Sequence, residues 1–255
     1  MLSLQPLPAF TDNYIWTLSD ADGRAVLVDP GEAGPVLRAA ANGMTPVAIL
    51  LTHHHPDHVG GVAELRQRYD IPCYAPVDER IVDATHRVGD GDWVRIEALD
   101  LDLDVIAVPG HTLTHVAFHG GGILFCGDTL FSLGCGRLFE GTPEQMLRSL
   151  DRLAALPGDT LVCCGHEYTQ SNGRFAVVAE PENSTRDARL AEVAELRLRG
   201  LPSVPSSLSS ERSCNPFLRV DQPAIRQVLS AKGLADGDRV QAFAALRAWK
   251  DGFVA

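Results

Sequence analysis

The segment Thr52-His53-His54-His55-Pro56-Asp57-His58 places five metal-capable side chains within six residues. It follows the apolar run Val47 to Leu51 and precedes a stretch with helical spacing. A loop at the C-terminal end of a strand lets side chains converge on one point. His53 and His55 are two apart and can point the same way from extended chain. Asp57 and His58 open the next helix and can face a second point nearby. Neutral imidazoles and carboxylates are the ligands of zinc-like cations. A polar surface loop with accidental histidines is the weaker reading of so dense a cluster.

Three further segments share one design. Pro109-Gly110-His111-Thr112, Cys126-Gly127-Asp128-Thr129 and Cys164-Gly165-His166-Glu167-Tyr168 each set one ligand-type residue after an apolar run, with glycine beside it. Each alone reads as a strand-end turn. Together they complete two coordination shells. Asp29, in Leu27-Val28-Asp29-Pro30-Gly31, reads as a turn residue, and a carboxylate there can also orient ligand imidazoles. His54, His86, His115 and His119 read as structural or solvated.

The elements that must carry these residues are legible in outline. Ala25 to Val28 and Val47 to Leu51 read as strands stopped by turns. Val59 to Tyr69 has helical spacing, with Gly60 and Gly61 clearing space for close packing. Leu101 to Val108 alternates apolar and acidic residues, as a half-exposed strand does. Val116 to Phe118 and Ile123 to Cys126 flank His119-Gly120-Gly121-Gly122 as a hairpin. Pro143 to Leu156 reads as a helix with Thr142 as N-cap and Pro143 at its first position. Thr160 to Cys164 is the last strand-like run. Beyond Tyr168 the pattern turns helical: Phe175 to Ala179, Thr185 to Leu198, Ala224 to Ala231 and Asp238 to Trp249. Leu201 to Asn215, rich in Pro and Ser, reads as a long loop. The expected organisation is an α/β metal domain over residues 1–168 and a smaller helical domain over 169–255.

Composition narrows the class. The 255 residues are 45% apolar and 22% charged, enough for a sizeable core. The net charge of −11 and the lack of a basic run weigh against a nucleic-acid partner. No run is apolar and long enough for a membrane helix, and the first ten residues do not read as a signal peptide. Six cysteines without a CxxC pair read as reduced thiols of a cytoplasmic protein. A monomer is the default expectation.

The pattern His53-x-His55-x-Asp57-His58, with His111, Asp128 and His166, resembles the metallo-β-lactamase superfamily over residues 11 to 168. The resemblance implies an αββα sandwich, two facing sheets with helices outside. It implies that His53, His55 and His111 hold one metal, that Asp57, His58 and His166 hold a second, and that Asp128 bridges both. Asp29 matches a further position of that superfamily.

A narrower resemblance is to glyoxalase II, the hydroxyacylglutathione hydrolases. It is carried by Asn13-Tyr14-Ile15-Trp16, by Cys126 to Phe131 with Gly134-Cys135-Gly136-Arg137, and by Cys164 to Thr169. Late in the chain it is carried by Asn215-Pro216-Phe217-Leu218-Arg219 and Arg247-Ala248-Trp249-Lys250-Asp251. It implies that Arg137, Tyr168, Arg247 and Lys250 bind glutathione, whose carboxylates suit Arg and Lys. Phe139 departs from the pattern, which often has a hydroxyl-bearing tyrosine there. The implied cofactor is a pair of divalent metals, zinc first, with iron or manganese also suited. The implied reaction is attack of a metal-bridging hydroxide, oriented by Asp57, on the thioester of S-D-lactoylglutathione or a related 2-hydroxyacyl substrate. Three alternatives stay open: another hydrolase on this fold, a mononuclear iron dioxygenase acting on glutathione persulfide, and a nucleic-acid-processing or nucleic-acid-binding module.

Overall fold

Three strands, β1 (Ser3–Ala9), β2 (Asn13–Ser19) and β3 (Arg24–Val28), open the chain as an antiparallel meander. Strands β4 (Thr45–Leu50), β5 (Cys73–Pro76) and β6 (His86–Val88) then add in parallel, giving a six-stranded sheet in sequence order. Parallel neighbours need crossover connections. Helix α1 (Ala33–Ala41) supplies one, between β3 and β4; α2 (Pro56–Val59) and α3 (Val62–Tyr69) supply the next. Strands β3 and β4 are apolar runs because both their faces are covered: Val26, Leu27, Ile49 and Leu50 are all buried. Strand β1 was not apparent in the sequence. It carries Pro6 and Pro8, which cannot donate to a ladder, and it sits at a sheet edge where that loss is tolerated.

The structure is a computed structural model describing residues 2–234 and 237–254. By contacts its chain forms two units: Met1–Ala107 with Thr114–Gly127, and Val108–Leu113 with Asp128–Ala255. The first unit holds the sheet above and four antiparallel strands, β7 (Trp93–Ile96), β8 (Leu101–Ala107), β9 (Val116–Gly120) and β10 (Ile123–Gly127). Along β8 the apolar residues Leu101, Leu103 and Val105 are buried, while Asp102 and Asp104 are exposed. The β9–β10 hairpin closes on Gly121 (φ 58°) and Gly122 (φ 77°). Two positive φ angles in a two-residue loop match the twist of the strands and favour glycine.

The second unit contains the small hairpin β11 (Leu130–Phe131) and β12 (Gly134–Cys135), then α4 (Pro143–Ala154). Strand β13 (Leu161–Cys164) follows, then α5 (Thr169–Ala179) and α6 (Ser184–Leu198). Strand β14 (Ser206–Ser207) pairs with β13, and α7 (Leu208–Cys214), α8 (Pro223–Ala231) and α9 (Arg239–Asp251) complete the unit. Helices α4 and α9 begin with reciprocal capping boxes, Thr142 with Gln145 and Asp238 with Gln241. No helix among the described residues is long and apolar enough to cross a membrane.

Three sequence expectations need correction. The helix expected from Val59 to Tyr69 breaks at Gly60-Gly61 into α2 and α3. The helix expected at Phe175 begins six residues earlier, at Thr169, because Gly173 belongs to its contact face. A Cβ there would lie 2.2 Å from a methyl of Leu190 on α6. The loop expected over Leu201 to Asn215 contains α7, capped by the side chain of Ser207 on the Ser210 amide. Serine that reads as loop composition acts there as a helix start.

Candidate functional site

Two clusters of ligand-type side chains stand out, one in each unit. The first begins with the turn after β3. Asp29 has φ 52°, a left-handed conformation that aspartate tolerates. Its buried carboxylate accepts from the Thr52 amide (2.8 Å) and hydroxyl (2.7 Å), and from His58 Nδ1 (3.0 Å). The Thr52 hydroxyl spends its one proton on Asp29, so it accepts from His53 Nδ1 at 3.0 Å. Both imidazoles therefore carry their proton on Nδ1, leaving Nε2 as the lone-pair atom. His53 Nε2 meets His55 Nδ1 at 3.1 Å, and His58 Nε2 meets Asp57 Oδ2 at 3.5 Å. Close backbone approach makes this possible. A Cβ on Gly31 would fall 1.8 Å from the carbonyl oxygen of Asp57, and one on Gly61 within 2.7 Å of the backbone from Pro30 to Ala33. Glycine is required at both positions.

Two neighbours of this cluster were given no site role by the sequence. His115 is fully buried and stacks on His53, centroids 4.6 Å apart at 14°. A Cβ on Gly127 (φ 46°) would collide with it and with Thr52. Asn13 is buried and donates Nδ2 to Asp57 Oδ2 at 3.0 Å. His54 lies 3.5 Å from Asp78, a carboxylate held well below its usual range by hydrogen bonds from Arg80 and Thr114 against its own burial. His86 stacks on Tyr74, and His119 lies opposite Asp104 on β9. Those two rings do not join the cluster.

The second cluster centres on Asp128, buried just after β10. His111 Nε2 and His166 Nε2 approach the same oxygen, Oδ2, at 3.4 and 3.3 Å. His111 Nδ1 donates to the Arg137 carbonyl at 2.7 Å, which again fixes Nε2 as the lone-pair atom. Tyr168 stacks on His166 at 4.7 Å and 5°.

A pocket of about 390 Å³ opens on this second cluster. His111 and Asp128 line it together with Arg137, Tyr168, Arg247 and Lys250. The four residues assigned to glutathione by resemblance thus share one wall system. Their environments differ. Arg137 is exposed and pairs with Asp251 at 3.2 Å. Arg247 is buried: Nη1 donates to the Cys135 carbonyl at 2.8 Å, Nη2 to Asp251 at 3.0 Å, and the guanidinium lies 5.0 Å over Phe217. It is not the residue of a solvated helix face. Lys250 is half-buried, and burial with the neighbouring Arg247 and Arg174 charges lowers its pKa. Cys135 also lines the pocket, and burial pushes its thiol up to about 11 despite Arg247. Phe139 is exposed at the pocket, with its ring edge-on to His111 at 5.2 Å.

Comparison with known proteins matches the chain in two segments that meet at residue 166, unlike the two contact units. Residues 14–166 match the metallo-beta-lactamase superfamily, and residues 167–253 match the hydroxyacylglutathione hydrolase C-terminus. A hydroxyacylglutathione hydrolase of Xanthomonas campestris pv. campestris (strain B100) is 55% identical over 99% of both chains. Among solved structures, ETHE1 from Myxococcus xanthus is similar with TM-score 0.64 and 26% identity, covering 97% of this chain and 98% of its own. TTHA1623 in a di-iron-bound form gives TM-score 0.58 and 27% identity over 85% of this chain and all of its own. The chain belongs to the hydroxyacylglutathione hydrolases, the glyoxalase II family of the metallo-β-lactamase superfamily, with that superfamily's αββα fold followed by the family's helical C-terminal region.

Proposed function

We propose that this chain hydrolyses S-(2-hydroxyacyl)glutathione, typically S-D-lactoylglutathione, to glutathione and a 2-hydroxy acid, here D-lactate. That reaction is the second step of methylglyoxal detoxification. The pocket beside Asp128 supports it most directly. Three cations, Arg137, Arg247 and Lys250, line the same cavity as His111 and Asp128. Glutathione carries two carboxylates, which guanidinium and ammonium groups bind through charge-assisted hydrogen bonds. Anchoring the tripeptide there directs its thioester toward the ligand cluster.

The donor set fits divalent cations. His58 and His111 each give Nδ1–H to a protein acceptor and turn a lone pair toward a carboxylate oxygen. Acceptor facing acceptor is an arrangement that a cation resolves. We assign His53, His55 and His111 to one cation, Asp57, His58 and His166 to a second, and Asp128 to both. Zinc is the first choice, and these donors suit iron and manganese as well. When bound, such cations supply hydroxide at neutral pH by lowering the pKa of water from about 16 to about 7, and they polarise the carbonyl under attack.

The chain's own groups do the rest. Asp57 orients the attacking oxygen by accepting its hydrogen bond. Asp29, through Thr52 and His58, fixes the tautomers of two ligands. Residues 1–168 serve as the catalytic domain and 169–255 as the helical glutathione-binding domain. We place the protein in the cytoplasm as a monomer acting on a small molecule. Its six cysteines are buried and form no disulfide among the described residues, and its charge of −11 does not suit a nucleic-acid partner.

The test is hydrolysis of S-D-lactoylglutathione before and after chelation, with metal content measured on the same sample. Chelator-sensitive turnover with two metals per chain is the expected result. Two bound metals without turnover would discard the glutathione substrate and leave lactones, β-lactams and RNA. One bound iron with oxygen consumption on glutathione persulfide would move the chain to the dioxygenase branch.

A further inference from the structure

Asp57 is a solvent-facing member of its cluster. Its side chain is 41% exposed, whereas that of its neighbour His58 is 2% exposed. A carboxylate at that exposure samples several rotamers unless something pins it. Asn13 does so. Its Nδ2 donates to Asp57 Oδ2 at 3.0 Å and to the Asp57 backbone carbonyl at 3.3 Å, so one amide holds both ends of the same residue.

The fold delivers Asn13 with care. It is the first residue of β2, in register with Ala9 of β1, and it follows a tight turn in which Phe10 adopts φ 49°. Its side chain is buried, so its position is set by packing. The chemistry is specific as well. A neutral amide donates to a carboxylate without neutralising it, so Asp57 keeps its negative charge for a cation. A lysine would hold the group but cancel the charge, and an aspartate would repel it. The Asn13-Tyr14-Ile15-Trp16 motif thereby acquires a physical task that its sequence alone does not reveal.

We propose that Asn13 is a positioning residue for Asp57: it orients the carboxylate that completes the second cation's shell, and so sets that cation's affinity separately from the first. This rests on the two-cation reading above. Partners of metal ligands typically change affinity or activity by roughly 10–100-fold when removed.

The experiment titrates metal-free protein with Co(II), following the ligand-field absorption of each equivalent, for wild type, Asn13→Ala and the isosteric Asn13→Asp. Thermal unfolding of the metal-free forms controls for the fold. The expected result is an unchanged first equivalent, a second equivalent weakened roughly 10-fold or more in both variants, and thioester turnover in which kcat falls while KM holds. A second equivalent bound by folded Asn13→Asp as tightly as by wild type overturns the proposal. If wild type takes up one equivalent only, the two-cation reading falls and this proposal falls with it. If Asn13→Ala does not fold, Asn13→Asp carries the decision.

Discussion

At the scale of single residues, the chain hides its supports better than the residues we assign as ligands. His53, His55, Asp57 and His58 announce themselves by type and spacing. The roles of Thr52, His115 and Asn13 do not, because each comes from a partner distant in sequence or from a ring brought close by the topology. Asp29 is the test of how much supports matter. It holds the Thr52 amide and hydroxyl and the His58 ring at once. Asp29→Ala is expected to weaken metal retention by roughly 10–100-fold, read by competition with a chromophoric chelator. Asp57→Ala is expected to abolish most turnover while leaving the far-UV spectrum and unfolding midpoint near wild type.

Asp251 invites a prediction of the opposite sign. Its Oδ1 pairs with Arg137 and accepts from Arg247, two cations of the pocket. A substrate carboxylate must share or displace that contact. The pair with Arg137 is exposed and such pairs are weak, so Asp251→Asn is expected to tighten inhibition by glutathione by a factor of roughly two to five. A weaker inhibition constant in the folded variant would show that Asp251 holds the arginines for the ligand instead. Lys250 adds a pH signature. Its pKa is lowered by burial and by Arg247 and Arg174, so it loses its charge at a lower pH than an ordinary lysine. KM should therefore rise on the alkaline side earlier than ordinary lysine titration allows, and Lys250→Arg should remove that rise.

At the scale of elements, regular signals were readable and irregular ones were not. The capping box of α4 and the alternation of β8 declare themselves through local residues. Strand β1, carrying two prolines, and α7, inside a serine-rich stretch, depend on neighbours that local pattern cannot supply. The junction after α5 shows what such neighbours do. Glu180 at its end accepts from Arg219 at 2.9 and 2.7 Å and from Asn183 at 2.9 Å. Burial would raise its pKa, and these hydrogen bonds with the Arg219 charge overcome that, so the net shift is downward. A carboxylate with a depressed folded pKa contributes stability above its unfolded value of about 4.5 and loses it as pH falls through the folded one. Glu180→Gln is expected to lower stability at neutral pH and to flatten its decline below pH 4.5, measured by urea unfolding across pH.

For the whole molecule, the bound cations matter to more than chemistry. A ligand that binds only the folded chain stabilises it by about 2.7 kcal/mol at a hundredfold excess over its Kd. For a chain of this size that corresponds to a rise in Tm of roughly 5–10 °C. Calorimetry before and after chelation should show that interval, with recovery on adding metal back. An unchanged Tm would mean that the ligand clusters do not hold cations tightly.

The wall of the pocket contains one more consequence. Cys135 lines the same pocket as the residues assigned to glutathione, and thiolates exchange readily with thioesters. A reactive cysteine there would take the acyl group onto the enzyme and stall it. With its pKa pushed up to about 11, the Cys135 thiol stays protonated at neutral pH. The burial that seats Arg247 against the Cys135 carbonyl thus also keeps the enzyme from acylating itself.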